Sequence, residues 1–127
     1  MAYNKYSNKK ITVDGITFDS ISEANRYREL MLLQRAGKIS ELKLQPVFLL
    51  SPKTQYENKC EYIADFSYTQ DGKLVVEDVK GCKTKEYIVK RKWFRYKYPD
   101  IVFKEIIDGH DKSAEKDFYK NLLSKRR

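Results

Sequence analysis

Two apolar segments sit one turn apart: Ile63-Ala64-Asp65-Phe66, then Val75-Val76-Glu77-Asp78-Val79-Lys80-Gly81. Each reads as an interior strand, yet Asp65, Asp78 and Lys80 stand where such a strand carries Val or Ile. Charge at those positions is costly unless it is paired or holds a metal. Strand side chains alternate faces, so Asp78 and Lys80 project together, while Glu77 and Val79 point the other way. Cross-strand neighbours bring Asp65 toward Asp78. Two converging carboxylates make a hard-oxygen site suited to Mg²⁺ or Mn²⁺. A lysine beside it can orient the attacking water or stabilise charge on a phosphate. The bland alternative is a surface salt bridge between Asp78 and Lys80 with Asp65 a lone exposed acid; the apolar surroundings argue against it. A bulge that shifted the register would present Glu77 in place of Asp78.

The rest of the chain supplies the frame. Lys10 to Phe18 alternates around Asp14-Gly15, a two-residue hairpin signal. Ser20-Ile21-Ser22-Glu23 matches a capping box, and Gly37 sits where a C-terminal stop belongs, so a helix is expected between them. Glu41 to Leu50 reads as a strand in which Pro46 implies an edge or a bulge. Cys60 to Tyr68 and Leu74 to Val79 read as two more, joined by the turn Gln70-Asp71-Gly72-Lys73. These three strands are expected to form an antiparallel meander. Thr84 can cap a helix running to Tyr98, stopped by Pro99. Ile101 to Ile107 should join the same sheet through that crossover, and Asp111 to Leu123 reads as a closing helix. The expected fold class is α/β, a mixed sheet flanked by helices with an N-terminal hairpin and a C-terminal helix, in one domain spanning residues 1–127.

Charge narrows the partner. The net charge is +8, and residues 80–98 hold eight basic side chains against the single acid Glu86. Five aromatics are interleaved with them: Tyr87, Trp93, Phe94, Tyr96 and Tyr98. That mixture points to a polyanion, nucleic acid first, with a solvated helix face over a packed aromatic core as the plain alternative. At about 100° per residue, Val89, Trp93 and Tyr96 form one apolar face and Tyr87, Phe94 and Tyr98 another. A helix on a sheet needs only one; the other could meet the closing helix, a second subunit or nucleic acid. Apolar runs are too short to span a bilayer, and the N-terminus lacks the apolar core of a secretory signal, so a cytoplasmic address is expected. Two separated cysteines, Cys60 and Cys82, and one histidine, His110, do not make a zinc site; the cysteines are expected to be reduced and partly buried. Glu23 reads from its spacing as the third residue of the capping box, and equally as an acid aimed at the metal by the helix N-terminus.

Glu23, Asp65 and the triplet Asp78-Val79-Lys80, in α-β-β-β-α-β order, resemble the PD-(D/E)xK nuclease superfamily. The segments around Asp65 and Asp78 are similar to phage endonuclease I-type Holliday junction resolvases and to transposon end-cleaving nucleases of the TnsA type. More narrowly, FDSISEANRY, LQPVFLL, YIADFSY and VVEDVKGCKTKEY resemble a family of small phage-encoded proteins of that superfamily, a domain of unknown function. The resemblance covers residues 3 to about 107. It implies a restriction-endonuclease-like αβββαβ core. It implies that Asp65 and Asp78 bind Mg²⁺, with Mn²⁺ able to substitute, that Glu23 completes the acidic cluster and that Lys80 assists the water or the transition state. Gln45 lies where related nucleases place a polar residue at the edge of the site. Ala64 stands in place of the motif's Pro.

The expectation is a Mg²⁺-dependent endodeoxyribonuclease of phage recombination or replication. It would act on branched or otherwise structured DNA, as in Holliday junction resolution, with a homodimer as one arrangement that could cut paired strands. Lys83, Lys85, Lys90 and Lys97 are expected to contact phosphates. Two alternatives stand beside it: a non-catalytic DNA-binding module built on a nuclease fold, and a protein partner in a phage replication assembly that uses the second aromatic face.

Overall fold

The structure is a computed structural model that describes residues 9–107 and the pair His110–Asp111. Strands β1 (Ile11–Val13) and β2 (Ile16–Phe18) form the hairpin around Asp14-Gly15, both in the left-handed region that such a turn requires. Helix α1 (Ile21–Arg35) follows. The Ser20 hydroxyl accepts the Glu23 N–H at 3.1 Å, and Gly37 leaves the helix at a φ of 74°.

The next two long strands break where their residue pattern reads as continuous. Residues 40–51 divide into β3 (Ser40–Leu44) and β4 (Val47–Ser51), and residues 60–70 into β5 (Cys60–Ile63) and β6 (Phe66–Gln70). β3 pairs antiparallel with β6, and β4 with β5, so one bent ribbon contributes to two sheets. The corner has a local cause. Pro46 has no N–H to continue the ladder, and Gln45 takes a φ of 50°. Across the corner, Gln45 N–H donates to the Asp65 carbonyl at 2.9 Å and Ala64 N–H to the Pro46 carbonyl at 3.1 Å. The expected antiparallel order of three strands is kept, as β3-β6-β7 (Lys73–Lys80) with β3 at the sheet edge, but the first two strands bend at this corner and their outer halves, β4 and β5, pair as a separate two-stranded sheet.

Helix α2 (Lys85–Lys97) carries the chain to β8 (Val102–Ile107), which lies parallel to β7 as a crossover demands. The short β9 (His110–Asp111) pairs antiparallel with β8. The main sheet is thus mixed, in the order β3-β6-β7-β8-β9, and the α/β class expected from the sequence is present. The expected closing helix lies outside the described residues.

Each face of the sheet has its own core. Ala24, Tyr27 and Leu30 of α1 pack with Phe66, Tyr68, Val75, Val79 and Ile106. Tyr87 and Phe94 of α2 pack with Leu50, Tyr62, Ala64 and Val76. Cys60 and Cys82 are both free; Cys82 is exposed rather than partly buried. No helix among the described residues is long and apolar enough to cross a membrane.

Candidate functional site

Neighbouring acids on β7 face opposite cores, as strand alternation requires. Glu77 points toward α1, is fully buried, and accepts from Arg26 Nε at 2.7 Å and Nη2 at 2.6 Å, with the Tyr68 hydroxyl as a third donor. Its oxygens are taken up by a structural network that pins α1 to β7, and it is turned away from Lys80. Asp78 faces the other side with 1% of its surface exposed, and among the described residues neither carboxylate oxygen has a hydrogen-bond partner. Lys80 Nζ stands 3.6 Å from Asp78 Oδ1 and 4.5 Å from the centre of the Tyr87 ring. Burial pushes the Asp78 carboxyl up to about 7, Glu105 adds to the rise and Lys80 opposes it.

Asp65 occupies the corner itself. Its backbone N–H donates to the Glu77 carbonyl at 3.1 Å, which continues the β6–β7 register and sets it across from Asp78. Asp65 Oδ2 accepts the Val79 N–H at 2.7 Å. Burial raises its pKa; the Val79 N–H and Lys80 pull it down, and Asp19 pushes it up. Glu23, one turn into α1, is raised to about 7 by burial and then by Asp65 and Asp19, with Lys80 opposing. Glu23, Gln45 and Asp65 line one cleft of about 230 Å³ together with Asp19 and the apolar Phe18, Leu44 and Phe66.

Glu23, Asp65, Asp78 and Lys80 therefore share one electrostatic neighbourhood, and Gln45 borders it. Among the described residues, no three His, Cys, Asp or Glu side chains converge as a ready-made metal cage. What does fit a cation is Asp78, an enclosed carboxylate whose two oxygens accept no hydrogen bond among the described residues. Asp65, at the corner before β6, and Glu23, on the wall of the cleft, are the acids that could complete a coordination sphere with it.

Three site neighbours carry little signal in the sequence. Asp19 adjoins the Ser20 cap, and only its place beside a helix start distinguishes it. Glu105 is the β8 partner of Asp78, and Tyr87 opens α2. Burial alone would raise Glu105, but Lys83 at 2.6 Å, Tyr87 Oη at 2.6 Å and Arg91 at 2.8 Å hold it at about 2. This cluster ties the segment after Lys80 to β8.

The four lysines expected at phosphates are not equivalent. Lys83 pairs with Glu105, Lys90 with Glu86 at 3.4 Å, and Lys97 donates to the Leu50 carbonyl at 2.9 Å. Lys85 is exposed and makes no hydrogen bond or ion pair among the described residues.

No curated protein matches the sequence. A family model described as "Protein of unknown function (DUF1064)" matches residues 3–114, nearly the whole chain, and the protein belongs to that family.

Proposed function

We propose that this protein is a divalent-metal-dependent DNA endonuclease of the PD-(D/E)xK type, acting on branched or structured DNA in phage recombination or replication. The observation that carries this reading is the buried Asp78 carboxylate, which accepts no hydrogen bond among the described residues and has only a long ion pair to Lys80, at 3.6 Å. An acid kept that way costs stability unless a cation or a proton satisfies it.

Asp65 and Asp78, with Glu23, would hold Mg²⁺ or Mn²⁺. Such an ion polarises a phosphoryl oxygen and lowers the pKa of water bound to it. Asp65 is oriented for that role by the Val79 N–H, which fixes one of its oxygens. Lys80 keeps its ammonium group at Asp78, where it can stabilise negative charge developing on the scissile phosphate or orient the attacking water. Tyr87 supports Lys80 from the side by a cation–π contact. The Gln45 backbone, bonded to the Asp65 carbonyl, holds the corner that carries Asp65.

Asp78→Asn and Lys80→Ala should each lower cleavage of four-way or flapped DNA by about 100-fold or more, while DNA binding stays measurable by anisotropy. Unchanged cleavage in both variants would remove this site from consideration.

The second reading, a non-catalytic DNA-binding module, is favoured by the lack of a ready-made three-acid cage among the described residues. Titration calorimetry with Mn²⁺ separates the two. Heat that saturates in the parent chain and vanishes in Asp78→Asn supports the enzyme; no uptake, with no cleavage of any substrate, supports the module.

A further inference from the structure

Helix α2 carries two stripes of identical spacing. Tyr87, Arg91, Phe94 and Tyr98 lie at i, i+4, i+7 and i+11 and face inward: Phe94 is buried, and Tyr87 and Arg91 bond Glu105. Lys85, Val89, Lys92 and Tyr96 repeat that spacing two residues earlier, about 200° around the axis, and face out. Trp93 flanks them. Tyr96 is 86% exposed, Val89 61% and Trp93 37%. Of the two apolar faces legible in the sequence, the sheet uses only the one containing Phe94.

The charges sort along the same line. Lys83, Lys90 and Lys97 each have an acceptor within the fold, whereas the exposed Lys85 and Lys92 make no ion pair or hydrogen bond among the described residues. Among the lysines of α2, those without a partner among the described residues are thus the two set into the outward aromatic stripe. A second copy of a chain carrying a net charge of +8 would bring like charge to this face. A polyanion matches it, and Trp93 and Tyr96, three residues apart, offer adjacent ring surfaces. Ring surfaces bind the faces of unstacked bases, which a paired duplex keeps covered.

We propose that this outward face of α2, built on Trp93, Tyr96, Lys85 and Lys92, is a stacking platform for an unpaired strand of nucleic acid. The inference deepens the nuclease reading by naming a single-stranded segment as the part of the substrate that is gripped, and it rests on that reading only for the bond to be cut. The strand's bases lie against Trp93 and Tyr96, and its phosphates meet Lys85 and Lys92.

Trp93 is the chain's single tryptophan, so its emission reports this face alone. The full chain carrying Asp78→Asn, in EDTA, is titrated with oligo-dT and with a blunt duplex of equal length, each followed by Trp93 emission and by anisotropy of a labelled strand. Oligo-dT should quench Trp93 saturably and bind at least about 10-fold more tightly than duplex, and Tyr96→Ala should weaken oligo-dT binding by about 10-fold with little change for duplex. Saturating anisotropy without quenching, or equal affinity in Tyr96→Ala, overturns the platform. Emission that shifts with protein concentration in the absence of DNA makes a second copy the occupant and also overturns it. Quenching without cleavage by the unmutated chain in Mg²⁺ sinks the nuclease reading alone; cleavage without quenching sinks the platform alone.

Discussion

At Asp78 a carboxylate is enclosed among β7, β8 and α2, and the groups that face it are Lys80, Glu105 and Tyr87. Its pKa, like that of Glu23, lies near 7, well above the ordinary carboxyl value. A carboxyl raised in this way holds its proton longer in the folded chain than in the unfolded one. Its stabilising contribution is complete below the unfolded pKa, about 4, and is lost as pH climbs through 7. The metal-free protein should therefore melt at least about 4 °C lower at pH 8 than at pH 5. Asp78→Asn should make that profile shallower, Glu23 keeping the remainder of the slope. Mg²⁺ should raise the melting temperature at pH 8 and have little effect at pH 5, where protons occupy the same oxygens. Scanning calorimetry across this range checks both; a parent profile as flat as that of Asp78→Asn would contradict the burial argument.

Among the elements, α1 and β7 are joined by the Arg26–Glu77–Tyr68 network, three residues from Glu23 and next to Asp78. Arg26→Ala leaves Glu77 buried and uncompensated, so unfolding free energy should fall by about 3–5 kcal/mol. Arg26→Met combined with Glu77→Leu should recover most of it. Urea denaturation measures both, and an additive loss in the double variant would show that the pair is not coupled. Helix starts were legible because Ser20 and Thr84 declare them locally, and the opposed facing of Glu77 and Asp78 followed from alternation. The split of residues 40–51 and 60–70 was not legible as two strand pairs. Pro46 signalled an irregularity, but the corner is completed by bonds from Gln45 to Asp65 and from Ala64 to Pro46, between segments about 20 residues apart. The lysines show the same limit: composition marked residues 80–98 as basic, but only the fold reveals that Glu105, Glu86 and the Leu50 carbonyl engage three of them.

Over the whole molecule, acids gather at the cleft between α1 and the β3–β6 corner, while Lys85 and Lys92 stand on the outer face of α2. Long-range attraction and local binding are thereby carried by different residues. Affinity for oligo-dT should fall linearly with the logarithm of salt concentration. Replacing Lys85 and Lys92 together by Gln should reduce that slope by about 1.4, near 0.7 for each phosphate left without a lysine. Lys83→Gln should leave the slope nearly unchanged and lower stability instead, because its partner is Glu105. An equal reduction of slope from Lys83→Gln would mean that the ion pair opens to meet DNA.

The β6–β7 hairpin gives the turn at Asp71-Gly72 an influence far from where it stands. Both residues have positive φ, at 53° and 76°, and the turn fixes Gln70 opposite Lys73 and hence Phe66 opposite Glu77. Side chains change faces with every one-residue step. A single-codon deletion between the turn and Glu77 would force the strand either to bulge or to turn over, carrying Asp78 and Lys80 together to the α1 face and Glu77 to the α2 face. Heredity can thus rewrite this site without touching any residue in it, and reading-frame-preserving indels around residues 71–76 should be rarer among functional descendants than substitutions at the same codons.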